Sequence, residues 1–135
     1  MTTSMVKYLG ALRCNNIHTR SGSEILTDAP VDNRGKGSTF SPTDLLATSL
    51  ANCMLTVMGI KAMDKGWAIE GTYAEVIKEM ASDPRRVAAI RIKMVFPEGD
   101  WSQDQRKLLE QTAIHCPVAK SLHPDIEQDV TFIWP

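Results

Sequence analysis

The stretch SPTDLLATSLANCMLTVMGIKAMDKG, residues 41 to 66, constrains this chain more than any other. Ser41 is a good N-cap, because its hydroxyl can accept a hydrogen bond from the otherwise unpaired amides of a first helical turn. Pro42 suits the first helical position, where a missing N–H is no loss, and Asp44 puts a carboxylate where the helix dipole favours one. A helix therefore starts here, and Gly66 after Lys65 stops it near 64 to 66. Leu46, Leu50, Cys53, Val57 and Ile60 recur at spacings that alternate between four and three, which draws one apolar stripe. Leu45, Met54 and Met58 widen it. A helix this long and this apolar predicts a central, largely buried element, with Cys53 inside its packed stripe.

The rest of the chain supplies sheets for that helix to pack on. Residues 5–16 (MVKYLGALRCNN) and 24–28 (EILTD) read as two strands separated by the turn chemistry of Ser21-Gly22-Ser23. Polar, glycine-rich DNRGKGST (32–39) predicts an exposed loop. Two more strands are expected near 67–80 and 86–96, joined by Ser82-Asp83-Pro84. The second alternates, with Ala88, Ile90, Ile92, Met94 and Phe96 on one face and Arg91 and Lys93 on the other, so one face is packed and one is wet. Ser102 and Gln105 form the capping box of a shorter helix whose buried side is Leu108, Leu109 and Ala113. DVTFIWP closes the chain as a strand. No repeat or low-complexity linker interrupts this order, and the expectation is an α+β fold in a single domain spanning residues 1–135.

Composition excludes several functions. A net charge of -1 with no basic run leaves no nucleic-acid footprint. No stretch approaches the roughly 20 uncharged apolar residues of a bilayer span, and MTTSMVKYLGALRC lacks a basic segment leading into an apolar one. The sequence thus reads as a soluble, cytoplasmic protein without a membrane partner.

The cysteines narrow the chemistry. Cys14, Cys53 and Cys116 are too few and too scattered for a disulfide framework, and no CxxC pair offers a zinc ribbon or a thioredoxin-type motif. Thiol chemistry would require the fold to bring distant cysteines together. Within HCPVAKSLHP (115–124), Pro117 suits the first position of a short helix and puts Cys116 at its N-cap. There the sulfur faces unpaired amides and the positive end of the dipole, which favour thiolate and predict a lowered pKa. An ordinary thiol of pKa about 8.5 is only about 3% ionised at pH 7. The plain alternative is a small buried residue that starts a helix. For Cys53 the plain reading is packing within its stripe, and for Cys14 a structural place in the first strand. His115 and His123 flank Cys116 without zinc-like spacing, so no metal or other cofactor is expected. No GxSxG nucleophile elbow is present.

Two blocks taken together, SPTDLLATSLANCM (41–54) and HCPVAKSLHPDIE (115–127), resemble the signature blocks of the OsmC/Ohr family, the osmotically induced and organic hydroperoxide resistance proteins. The resemblance extends to the order of elements along nearly the whole chain. It implies an OsmC-like fold of antiparallel sheets around a long central helix, an intertwined homodimer, and two active sites at the subunit interface. It also implies that Cys53 attacks a hydroperoxide, and that the resulting sulfenic acid condenses with Cys116 to a disulfide. A small dithiol of the dihydrolipoyl type then reduces that disulfide.

The resemblance has a gap at the helix start. Peroxidase members carry Pro-Glu there, and the glutamate orients an arginine that stabilises the reactive thiolate. Here Thr43 stands at that position and Asp44 follows it, while Arg34 is the first candidate for the arginine and Arg20 the second. A buried thiol lacking such partners is held protonated and reacts slowly. Two other readings follow: a non-enzymatic OsmC-fold protein that binds a small apolar ligand or senses oxidation through the same cysteines, and transfer or hydrolysis by a lone Cys116 nucleophile.

Overall fold

The computed structural model describes residues Met1 to Pro135. In chain order it contains β1 (Ser4–Gly10), β2 (Arg13–His18), β3 (Glu24–Asp28), a 3-10 turn at Val31–Asn33, α1 (Pro42–Lys65), β4 (Tyr73–Ala81), β5 (Arg86–Val95), α2 (Gln103–Ile114), α3 (Pro117–Ser121) and β6 (Glu127–Ile133). This is the α+β architecture that the pattern predicts. The elements fall into two compact units, Met1–Leu46 and Ala47–Pro135, with α1 passing from the first into the second.

The first unit is the antiparallel sheet β1-β2-β3. The single strand expected over 5–16 is two strands, because the chain reverses at Gly10, Ala11 and Leu12 with φ of 87°, 53° and 65°. Alanine and leucine rarely adopt such angles, so no residue type after Gly10 announces the turn. The Tyr8 hydroxyl accepts the Leu12 N–H at 3.3 Å and helps to close it.

The second unit builds a core of its own. Its sheet, in the order β4-β5-β6, is mixed: β4 and β5 are antiparallel, whereas β5 and β6 run parallel, which corrects the expectation of purely antiparallel sheets. Ile90, Ile92, Met94 and Phe96 are buried as the alternation predicts, but Ala88 is not on that face. The register shifts between Glu79 and Met80, which pair with Ala89 and Val87, so Ala88 is the bulged residue and Val87 and Ala89 are buried in its place. β4 begins only at Tyr73, after a turn at Gly71 with φ of 93°. The outer face carries Arg91 paired to Glu79, Glu127 and Asp129, and Lys93 paired to Glu75.

α1 starts at Pro42 and ends before Gly66 (φ 71°), as its caps predict. Its buried face is Ala47, Leu50, Ala51, Met54, Met58 and Ala62, rotated from the stripe read off the sequence: Leu46 and Ile60 are exposed within the chain, and Cys53 and Val57 are half-buried. Small residues and flexible methionines let the helix approach its neighbours closely, so bulk alone was a poor guide to the packed side. Length and composition would allow α1 to cross a bilayer, yet this face joins β5 and α2 in one continuous hydrophobic cluster.

Candidate active site

Cys53 sits midway along α1, half-buried and packed against the core. The capping box of α2, in which Ser102 Oγ accepts the Gln105 N–H at 3.1 Å and Gln105 Oε1 accepts the Ser102 N–H at 2.9 Å, fixes where that helix begins. α2 ends at His115, whose Nδ1 lies 2.7 Å from the Gln111 carbonyl oxygen. The next residue, Cys116, is the N-cap of α3, as its place before Pro117 predicts.

The two sulfurs meet. Cys116 is 0% exposed, and its thiol hydrogen-bonds to Cys53. The Val118 N–H donates to Cys53 Sγ at 3.5 Å, and the Ala119 N–H donates to Cys116 Sγ at 3.4 Å. The unpaired amides of the first turn of α3 are thus shared between two cysteines from distant parts of the sequence. Gln128 Nε2 donates to the Ala119 carbonyl at 3.0 Å and ties α3 to β6. Neither these backbone donors nor Gln128 was identified from the sequence. The signal available was only the Cys-Pro helix start, which implies free amides without saying which sulfur they reach.

One electrostatic expectation reverses. Burial pushes the Cys116 thiol above its ordinary pKa, and the neighbouring Cys53 sulfur pushes the same way, against the lowering pull of the Ala119 and Val118 amides. The helix terminus does favour the thiolate, but at a fully enclosed sulfur burial is the larger effect. Cys116 therefore holds its proton more firmly than an ordinary thiol.

The other residues singled out have local roles. Asp44 Oδ2 accepts the Ser41 N–H at 2.9 Å while Ser41 Oγ accepts the Asp44 N–H at 3.0 Å, a reciprocal cap on α1. Thr43 Oγ1 lies 3.3 Å from Ser41 Oγ. Arg34 closes the 3-10 turn in a left-handed conformation, φ 69°, and Arg20 lies in the turn between β2 and β3. Cys14 is a half-buried member of β2, opposite Tyr8 and Thr27. His123 has Asp125 at 3.8 Å and accepts its N–H at 3.0 Å. No group of three or more His, Cys, Asp or Glu side chains is placed to hold a metal ion.

An α+β chain that joins two remote thiols at a helix start is a candidate two-cysteine redox protein. Comparison with known proteins agrees on its lineage. The family model described as OsmC-like protein matches residues 35–131, and the chain belongs to the OsmC-like family. The crystal structure of a candidate osmotic stress induced and detoxification response protein from Psychrobacter arcticus is 57% identical, with 98% of this chain and 96% of that one covered and a TM-score of 0.94. The organic hydroperoxide resistance protein OsmC from Legionella pneumophila is 14% identical over 98% of each chain, with a TM-score of 0.76. An organic hydroperoxide resistance protein from Elizabethkingia anophelis is 14% identical over 100% and 98%, with a TM-score of 0.75. The latter two establish the fold. No protein with a curated description matches in sequence.

Proposed function

We propose that the protein is a thiol-dependent reductase of organic hydroperoxides that works by a two-cysteine cycle in the cytoplasm. The observation that carries this reading is the hydrogen-bonded pair Cys53 and Cys116, with a backbone donor on each sulfur. Cys53 is the more exposed of the two and the natural point of attack. Its thiolate displaces alkoxide from the peroxide oxygen, so the O–O bond breaks, an S–O bond forms, and the alkoxide takes up a proton to leave as alcohol. Cys116 then attacks the sulfenic sulfur as its S–H proton passes to the sulfenic hydroxyl; the S–O bond breaks, water leaves and the disulfide forms. A dithiol such as a dihydrolipoyl group exchanges with that disulfide, restores both thiols and becomes oxidised itself. The apolar cluster behind Cys53 suits an organic peroxide better than a purely aqueous one. The family names of the structural neighbours support the same peroxide-linked role.

The working form in this reading is a homodimer. Met5, Val6, Tyr8, Leu9, Ile25 and Leu26 are exposed on the two faces of the first sheet, and Leu12 in its turn, which leaves apolar surface that a second copy would cover. The arginine that assists the thiolate is assigned to Arg34, with Arg20 as the alternative; Thr43 and Asp44 replace the family's usual helix-start glutamate.

The test is steady-state consumption of cumene hydroperoxide with dihydrolipoamide as reductant. Turnover is expected in the parent, with a loss of at least about 10³-fold in Cys53→Ser, where the nucleophile is gone. Cys116→Ser should react once and then stall as a sulfenic or sulfinic acid. Parent-like turnover in Cys53→Ser would sink the proposal. Stoichiometric thiol oxidation without turnover in excess dithiol would instead favour the sensing or binding role.

A further inference from the structure

The inward row of β6 and its two ends is apolar except at one residue. Ile126, Val130, Phe132 and Trp134 all pack against the core, and the alternation of the strand puts Gln128 on their side. In the parallel pairing of β5 and β6 it stands opposite Ile90, which is 0% exposed. On the outer face its neighbours Glu127 and Asp129 both reach Arg91 of β5, at 2.8 and 3.0 Å. Gln128 therefore projects from a strand held in place by its ladder. A valine or isoleucine would fill the row without desolvating a polar group, so what distinguishes Gln128 is the bond it makes.

That bond goes to α3, which at five residues has little stability of its own. The backbone bonds of α3 end with the Leu122 N–H on the Val118 carbonyl at 3.1 Å, and the next carbonyl, that of Ala119, accepts Gln128 Nε2 at 3.0 Å. Only the nitrogen end of a glutamine can bond a carbonyl, which fixes the orientation of the side chain. Ala119 also donates its own N–H to Cys116 Sγ, and the preceding Val118 donates to Cys53 Sγ. Sulfur is a weak acceptor and these contacts are long, 3.4 and 3.5 Å, so they follow the position of α3 rather than set it. We propose that Gln128 is a positioning residue of the thiol pair: by holding the Ala119 carbonyl it keeps α3 where Cys116, its N-cap, meets Cys53 and where the Val118 and Ala119 amides reach the two sulfurs. This inference rests on the two-cysteine reading above. The step it governs is disulfide closure, in which Cys116 Sγ must approach the oxidised Cys53 sulfur along one line, and small misplacements of reacting atoms are costly.

The experiment compares the parent with Gln128→Met, which keeps the length of the side chain without a donor, and Gln128→Lys, which keeps a donor on an unbranched stem. Each is treated with one equivalent of cumene hydroperoxide in a Cys14→Ser background, and the rate of disulfide closure is followed beside dimedone capture of Cys53 sulfenic acid. Amide hydrogen exchange is measured at Val118 and Ala119. Loss of one hydrogen bond of ordinary net strength should slow closure about tenfold in Gln128→Met, with more Cys53 captured by dimedone and faster exchange at both amides. Gln128→Lys should recover most of the closure rate, which a role in packing alone would not produce. Gln128→Glu, of the same shape and without a donor when ionised, serves if Gln128→Met fails to fold. Parent-like closure in the donorless variants, or a loss in Gln128→Lys as large as theirs, would overturn the proposal while the two-cysteine reading stands. A parent that forms no Cys53–Cys116 disulfide would overturn that reading and this inference with it.

Discussion

The two units of this chain bury opposite kinds of residue. Before residue 47 the buried side chains are Thr27, Asp28 and Ser41, all polar, while every buried hydrophobic side chain lies from Ala47 onward. The carboxy-terminal unit has a core of its own: α1, β5 and α2 close over Leu50, Met54, Met58, Ile90, Met94, Phe96 and Leu109, with Cys116 buried in it and Cys53 packed against it. The amino-terminal unit buries polar groups, among them the Asp28 carboxylate bonded to Ser38 and the Ser41 cap of α1, and leaves its apolar strand residues in solvent. The second unit also leaves Ile60, Met63, Tyr73 and Ile77 exposed, but only it closes a hydrophobic core of its own. The two thiols lie in the unit that carries the hydrophobic core.

Three measurements break or sharpen that contrast. The largest effect belongs to the core: Phe96 is 2% exposed and stacks on Trp134 at a centroid distance of 3.6 Å, so Phe96→Ala should cost about 3–5 kcal/mol in denaturant unfolding. A loss below about 1 kcal/mol would mean that the core is less closely packed than described. A smaller effect follows from Cys116. Its pKa is raised on folding, so above the ordinary thiol value of about 8.5 the unfolded chain releases a proton that the folded chain retains. Stability should fall as pH rises through that range and be indifferent to this group below it. Thermal unfolding between pH 7 and 10, a range chosen to bracket about 8.5, should show a shallower decline in Cys116→Ser; parallel slopes would contradict a buried, protonated thiol. The smallest effect on folding is expected on the first sheet. Ile25 is 53% exposed, so Ile25→Lys should change the stability of the isolated chain by under about 0.5 kcal/mol, yet it should shift sedimentation from dimer to monomer. An unaltered dimer would place the interface elsewhere.

Much of this was legible in the sequence where a local rule decides the structure. Ser41-Pro42 and Gly66 bound α1, Ser102 and Gln105 cap α2, and Cys116-Pro117 opens α3, because each depends on a few adjacent residues. What the sequence hid depends on contacts between distant segments or on unfavourable backbone angles. The turn at Ala11 and Leu12 uses residues that avoid positive φ, and the bulge at Ala88 is set by the partner strand. The buried face of α1 was misplaced because, apart from Leu50, it is made of alanines and methionines rather than of the bulky residues at helical spacing. For the site, the family pattern named both cysteines, but periodicity alone would have left Cys53 as packing. The pKa of Cys116 was misjudged because burial is a tertiary property.

The central claim is that Cys53 and Cys116 are a redox pair. Peptide mapping under non-reducing conditions, after one equivalent of cumene hydroperoxide, tests it directly. The expected product is a Cys53–Cys116 disulfide within one chain, with Cys14 still free and full recovery of both thiols on adding dihydrolipoamide. Cys53 oxidised to sulfinic acid beside an untouched Cys116 thiol would contradict it.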